Sequence, residues 1–309
     1  SLLALLATRT APERRPAAAS LTWIMMIVGI VVTAGVAGNL LDPFSPQRLL
    51  QVASGVAAGA FLLASVAVAG VEGTLAVAAK PGTAPPAFAE ALRGIWADPI
   101  TRLFSIFVFV SMLAYSMQDL ILEPFAGLVF GLTPGQSTSL SGVQHQGVLL
   151  GMILVGIGGH GFGGKAGLKL KRWIVGGCIG SALALAALAM AASAGPGWPL
   201  APTVFALGFA NGIFAVAAIG SMLELAGRGG PGFEGIRMGL WGAAQALAFG
   251  LGGFFGASAV DVGRHLLGAD APAFELVFAF EALVFLTAAA IAARLHDDSP
   301  AVAQRKAIA

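Results

Sequence analysis

Charged residues are scarce in this chain. Of its 309 residues only 15 are acidic and 17 basic, 10% in all, against about 25% in an average soluble domain. That is too little polar surface to cover a soluble globule, so that class is excluded. The net charge of +2 leaves no basic footprint for nucleic acid. Cysteine occurs once, as Cys178, which rules out an intrachain disulfide framework and a cysteine-rich metal site. Also missing is the alternation of apolar and polar residues over about ten positions that marks an outer-membrane barrel strand.

Long apolar runs are present instead. Hydrophobic residues make up 57% of the chain and the mean hydropathy is +0.87. The runs continue for about twenty residues, the length a helix needs to cross a bilayer. The expectation is an all-α polytopic membrane protein with eight spans. They fall near Leu21–Leu41, Leu49–Val71, Leu103–Leu122, Gly147–His160, Trp173–Ala194, Ala201–Leu225, Met238–Val260 and Ala273–Leu295, the fourth starting nearer Ser141. The loops so defined put 15 of the Lys and Arg residues on one side and only Arg48 and Arg264 on the other. The positive-inside rule makes the rich side, with both chain ends, cytoplasmic. Ser1–Ala7 is too short for a signal-peptide core and reads as the tail of a preceding helix.

The longest loop divides the chain. Residues 1–72 carry two spans, residues 73–102 form a cytoplasmic linker, and residues 103–309 carry six spans. Within the linker, Phe88, Leu92, Ile95 and Trp96 fall at helical spacing, which predicts an amphipathic helix on the membrane surface. Two spans plus six is what a twelve-helix transporter of two six-helix halves leaves without its first four helices.

Polar side chains inside apolar runs are the candidates for function, because an acid at the centre of a bilayer costs roughly 2.5–3.5 kcal/mol on insertion scales. Gln118, Asp119 and Glu123 are the densest group, with the two acids four apart and therefore on one helix face. Pro124 follows and predicts a break, leaving Phe125–Leu132 as a half-helix or re-entrant piece. Broken helices with polar groups are where transporters place substrates; the competing reading leaves these acids in water at the outer surface. Gln144, His145 and Gln146 open the fourth span, either as an interfacial cap or with the imidazole as a metal ligand, including for the magnesium of a chlorin. Glu281 lies near the middle of the last span and is expected to pair with Gln245 or Asn211 of neighbouring spans.

Forty-three glycines fit close helix packing. Gly55/Gly59, Gly176/Gly180, Gly208/Gly212 and Gly252/Gly256 have the small-xxx-small spacing of helix contacts. The stretch GHGFGGK at Gly159–Lys165 satisfies a dinucleotide fingerprint and part of a P-loop. Ala166 stands where the P-loop needs Ser or Thr, and a membrane span precedes it rather than a strand, so nucleotide binding is rejected. No Ser/His/Asp set shares a compartment and no metal-ligand spacing occurs, so an enzyme is not expected.

With the spans placed, Tyr115–Ser139 (YSMQDLILEPFAGLVFGLTPGQSTS) resembles the hallmark stretch of the PucC/LhaA family, a bacteriochlorophyll-delivery branch of the major facilitator superfamily. Met238–Gly256 is similar to that family's eleventh span, Ala273–Leu295 to its twelfth, and Glu13–Met26 to the approach to its fifth. Gly161–Arg172 resembles a degenerate superfamily loop between the eighth and ninth helices, without its usual acid. The resemblance implies a major-facilitator-like bundle with helices five to twelve of twelve in this chain. It implies a bacterial inner or intracytoplasmic photosynthetic membrane. It also implies a role in assembling light-harvesting antennas, with bacteriochlorophyll as cargo and antenna polypeptides and the reaction-centre complex as partners. Pigment-binding candidates are Gln118, Asp119, Glu123, Pro124, Gln144, His145 and Gln146. Two other readings stay open. One is a proton-coupled transporter of a small amphipathic solute, using Asp119, Glu123 and Glu281. The other is a scaffold subunit of a photosynthetic complex.

Overall fold

A computed structural model describes residues 15–69, 96–161, 166–227 and 234–295. Among them lie eight long helices: α1 (Arg15–Leu41), α2 (Pro46–Val68), α3 (Pro99–Phe130), α4 (Pro134–Gly161), α5 (Ala166–Ala194), α6 (Leu200–Gly227), α7 (Glu234–Leu267) and α8 (Asp270–Arg294). Each is long and apolar enough to cross a membrane, and the protein is a polytopic helical membrane protein. Of the predicted surface helix, Phe88, Leu92 and Ile95 lie outside the described residues, and Trp96 is exposed.

Local chemistry sets the helix ends. Asp98 caps α3 by accepting a hydrogen bond from the Ile100 amide, and Pro99 occupies the first turn, where its missing N–H is not needed. Gly131, with φ of 68°, closes the helix in the left-handed conformation that suits glycine. Three residues later α4 begins with a reciprocal capping box. Thr133 Oγ1 accepts from the Gln136 amide at 3.2 Å, and Gln136 Oε1 accepts from the Thr133 amide at 3.0 Å.

Two expectations are corrected here. Pro124 does not break α3, which runs unbroken for 32 residues. The proline leaves the Leu120 carbonyl without its helical donor, but the residues around it are held from outside. Phe125 is fully buried, with its ring 4.9 Å from Phe278 and 5.3 Å from Phe274 and Phe130. Tertiary packing of this kind is how membrane helices tolerate an interior proline. The second correction concerns α4, which starts at Pro134. Gln144, His145 and Gln146 therefore lie well inside the helix and are not an interfacial cap.

The helices pack in a continuous bundle. α3 lies against α7 and α8, α5 against α6 and α8, α4 against α6, and α1 against α4. In lipid no hydrophobic force drives this association, so close van der Waals fit must supply it. The α4–α6 contact has that fit. A Cβ on Gly208 would collide with the Gln144 carbonyl oxygen, and one on Gly212 with that of Val148. Gly252 and Gly256 of α7 lie against the α3 backbone in the same way. Gly180 meets Ala210, while Gly176, Gly55 and Gly59 have nothing within 4 Å and face outward. α2 touches little besides α1, and none of its residues is buried.

Candidate functional site

α3 and α4 form the hairpin that carries most of the polar candidates. Between them lies a pocket of about 160 Å³, lined by Asp119, Glu123, Ser137, Ser141, Gln144 and His145 among others. A larger chamber of about 330 Å³ adjoins it, with walls from α1, α3, α4, α6 and α7. Asp119 and His145 line both cavities, so they form the partition between them. The chamber's volume is at the lower end of the range for small-molecule sites. Its walls are mostly apolar, with Met26, Met112, Met152 and Met222 supplying adaptable surface. Trp23, Phe107, Tyr115 and Phe249 add aromatic faces, and the Tyr115 and Phe249 rings are 6.0 Å apart. Asn211 and Gln245 bring amides to the same chamber.

The tautomer of His145 follows from its hydrogen bond. Nδ1 lies 2.8 Å from the Ser141 carbonyl oxygen, one turn back along α4. A carbonyl only accepts, so Nδ1 carries the proton. In the neutral ring Nε2 then keeps its lone pair, in a residue that lines both cavities. This is the usual arrangement of a ligating histidine, whose other ring nitrogen donates to a carbonyl or carboxylate and fixes the orientation of the ring.

The structure thus brings Asp119, Glu123, Gln144 and His145 together around one pocket, with Asn211 and Gln245 in the adjoining chamber. It separates the others. Gln118 is fully buried, lines neither cavity, and has no hydrogen-bond partner among the described residues for either amide atom. Pro124 and Gln146 are exposed and lie on other faces of their helices. Glu281 is fully buried in α8, but the expected pairing with Gln245 or Asn211 does not occur. Neither of its carboxyl oxygens has a hydrogen-bond partner among the described residues. Asn211 is engaged elsewhere, accepting at Oδ1 from Ser181 Oγ at 2.7 Å. Asn211 and Gln245 both line the larger chamber, and Glu281 does not.

Sequence reasoning missed Tyr115, Trp23 and the methionines of the chamber, and the Ser181–Asn211 bond. A signal existed for Tyr115, which is four residues before Asp119 and so on its face. None existed for the methionines, which come from four different helices. At one end of the bundle Asp42 accepts from Thr133 Oγ1 at 2.7 Å, joining the α1–α2 turn to the α3–α4 turn. At the opposite end Arg237 reaches Asp98 at 3.5 Å and donates to the Leu225 carbonyl at 2.9 Å.

Comparison with known proteins adds a further set of findings. The family model described as "PUCC protein" matches residues 1–299. A Rhodobacter capsulatus protein named "Bacteriochlorophyll synthase 44.5 kDa chain" is 54% identical over 292 residues, covering 94% of this chain and 67% of its own length. "Protein PucC" of the same organism is 30% identical, over 95% of this chain and 63% of its own length. "Protein PucC" of Cereibacter sphaeroides is 29% identical, over 80% of this chain and 52% of its own length. The chain thus spans about half to two thirds of the length of these relatives.

Proposed function

The chain belongs to the PUCC family, and from that premise we propose that it is a membrane assembly factor that holds bacteriochlorophyll and hands it to light-harvesting antenna polypeptides. The observation that carries the reading is His145. Its Nδ1–H is tied to the Ser141 carbonyl, so its Nε2 lone pair is available as the axial ligand of a chlorin magnesium. Asp119 beside it offers an acceptor for a water or a polar substituent. The apolar walls suit a flat, hydrophobic ring, and one relative's name includes bacteriochlorophyll. A chamber of about 330 Å³ takes part of a macrocycle, with the hydrocarbon tail left along the lipid-facing surface. The role is one of holding and transfer. The word "synthase" belongs to that relative's name and is not carried over.

On this reading the protein sits in a bacterial inner or intracytoplasmic photosynthetic membrane with its arginine- and lysine-rich loops in the cytoplasm. The test is an absorption spectrum of the affinity-purified protein in mild detergent, from cells making antenna, with mass spectrometry of what co-purifies. Bacteriochlorophyll bands with small antenna polypeptides are expected, and His145→Ala is expected to lose the bands while eluting as a folded protein. A colourless, partner-free protein would overturn the reading.

One observation favours a second reading, a proton-coupled transporter. Glu281 is a fully buried carboxyl group with no hydrogen-bond partner among the described residues, and intramembrane acids often serve proton relays. Solute uptake into vesicles that follows the proton gradient and is abolished by Glu281→Gln would support it.

A further inference from the structure

The proposed pigment site contains a polar feature that axial ligation does not use. Asn211 is fully buried and lines the larger chamber. Its Oδ1 is occupied by the Ser181 hydroxyl, itself fully buried, and its Nδ2 has no acceptor among the described residues. With the amide so placed, its nitrogen end is left free. The free end is a donor. The opposite side of the partition repeats the pattern: Gln144 is buried, lines the smaller pocket, and its Nε2 also has no partner. An amide N–H left unsatisfied in an apolar environment is costly, and such groups are rare in native folds unless something else completes them. Both orphan groups are donors, and both belong to residues lining the cavities that His145 separates. The missing component is therefore an acceptor, presented by a molecule that also meets the His145 lone pair.

Resting on the pigment reading above, we infer that Asn211 is a specificity-determining residue that donates a hydrogen bond to a carbonyl oxygen on the rim of the ligated ring. The site then selects macrocycles bearing ring ketone or acyl groups over those lacking them. A pocket built around buried donors rejects a ligand that cannot fill them, because the donors stay unpaired when it binds. Ser181 acts through Asn211 as a positioning residue and does not touch the ligand.

The experiment uses the purified chain in detergent and two probes: a magnesium chlorin with a ring ketone, and the same chlorin with that ketone reduced to a methylene. The wild-type protein is expected to prefer the ketone roughly tenfold, the worth of one hydrogen bond to a buried donor. Bound ketone should show its C=O stretch shifted to lower frequency. Asn211→Leu should abolish the preference. Should that variant not fold, Ser181→Ala, which keeps the amide but frees it to turn, is expected to weaken the preference and broaden the C=O band. Equal binding of both probes by the wild-type protein, or an unshifted C=O band, overturns the Asn211 assignment and leaves axial ligation intact. Binding of neither probe overturns the pigment reading and this inference with it.

Discussion

Gln118 and Asp119 are neighbours in the chain and about 100° apart around α3, and the two sides of that helix differ in almost every respect. The Gln118 side also carries Phe125, two turns on, and it faces the aromatic interior with Phe274, Phe278 and Phe285 fully buried nearby in the bundle core. The Asp119 side carries Tyr115 and Glu123 and opens on the two cavities it shares with α4. One side is filled and apolar, with polar groups stranded in it. The other is hollow, with polar groups grouped around space. A polar residue in a membrane helix is therefore not a site by virtue of its cost alone; it needs room beside it for something to bind.

The comparison can be broken most strongly on its packed side. Phe125→Ala would empty the aromatic cluster that holds α3 past Pro124, and is expected to cost about 3–5 kcal/mol, read as a fall in unfolding midpoint in detergent. Gly208→Val comes next, from the hollow side. Its side chain meets the Gln144 carbonyl, so α4 and α6 must part, at about 1–3 kcal/mol or more. Pigment binding should fall with it, because the Gln144–His145 wall moves. Gly59→Val, on the outward face of α2, should change neither stability nor binding measurably, within about 0.5 kcal/mol. The sharper contrast is Gln118→Leu. Removing an unpaired buried amide should leave stability unchanged or raise it by about 1 kcal/mol, with the pigment spectrum unaltered. If Gln118 were part of the site, that variant would lose pigment instead. Thr133→Val removes the α4 cap and the bond to Asp42, and should lower stability by about 1 kcal/mol without touching the absorption bands.

Much of this was legible beforehand. The eight spans were, because hydropathy over twenty residues needs no tertiary information. So was the shared face of Asp119 and Glu123, which the helical repeat alone dictates. The start of α4 was not, since Gln144, His145 and Gln146 interrupt the apolar run and pull any hydropathy window toward its later half. The continuity of α3 through Pro124 depends on rings from α8, and the isolation of Glu281 depends on which helix lies beside which. Both are facts about contact between distant segments, and a single sequence carries little of that information. The division of Gln118 from Asp119 belongs with them: spacing puts them on different faces, but only the packing says which face is hollow.

The central claim is that the hollow side binds pigment through its magnesium at His145. It is tested most directly by equilibrium titration of the purified protein with bacteriochlorophyll and with its demetallated form, in which two protons replace the metal. The account predicts that wild-type protein favours the magnesium pigment by at least about tenfold, the worth of roughly 1.4 kcal/mol of ligation, and that His145→Ala binds both forms alike. Equal affinity for the two forms in the wild-type protein would contradict it.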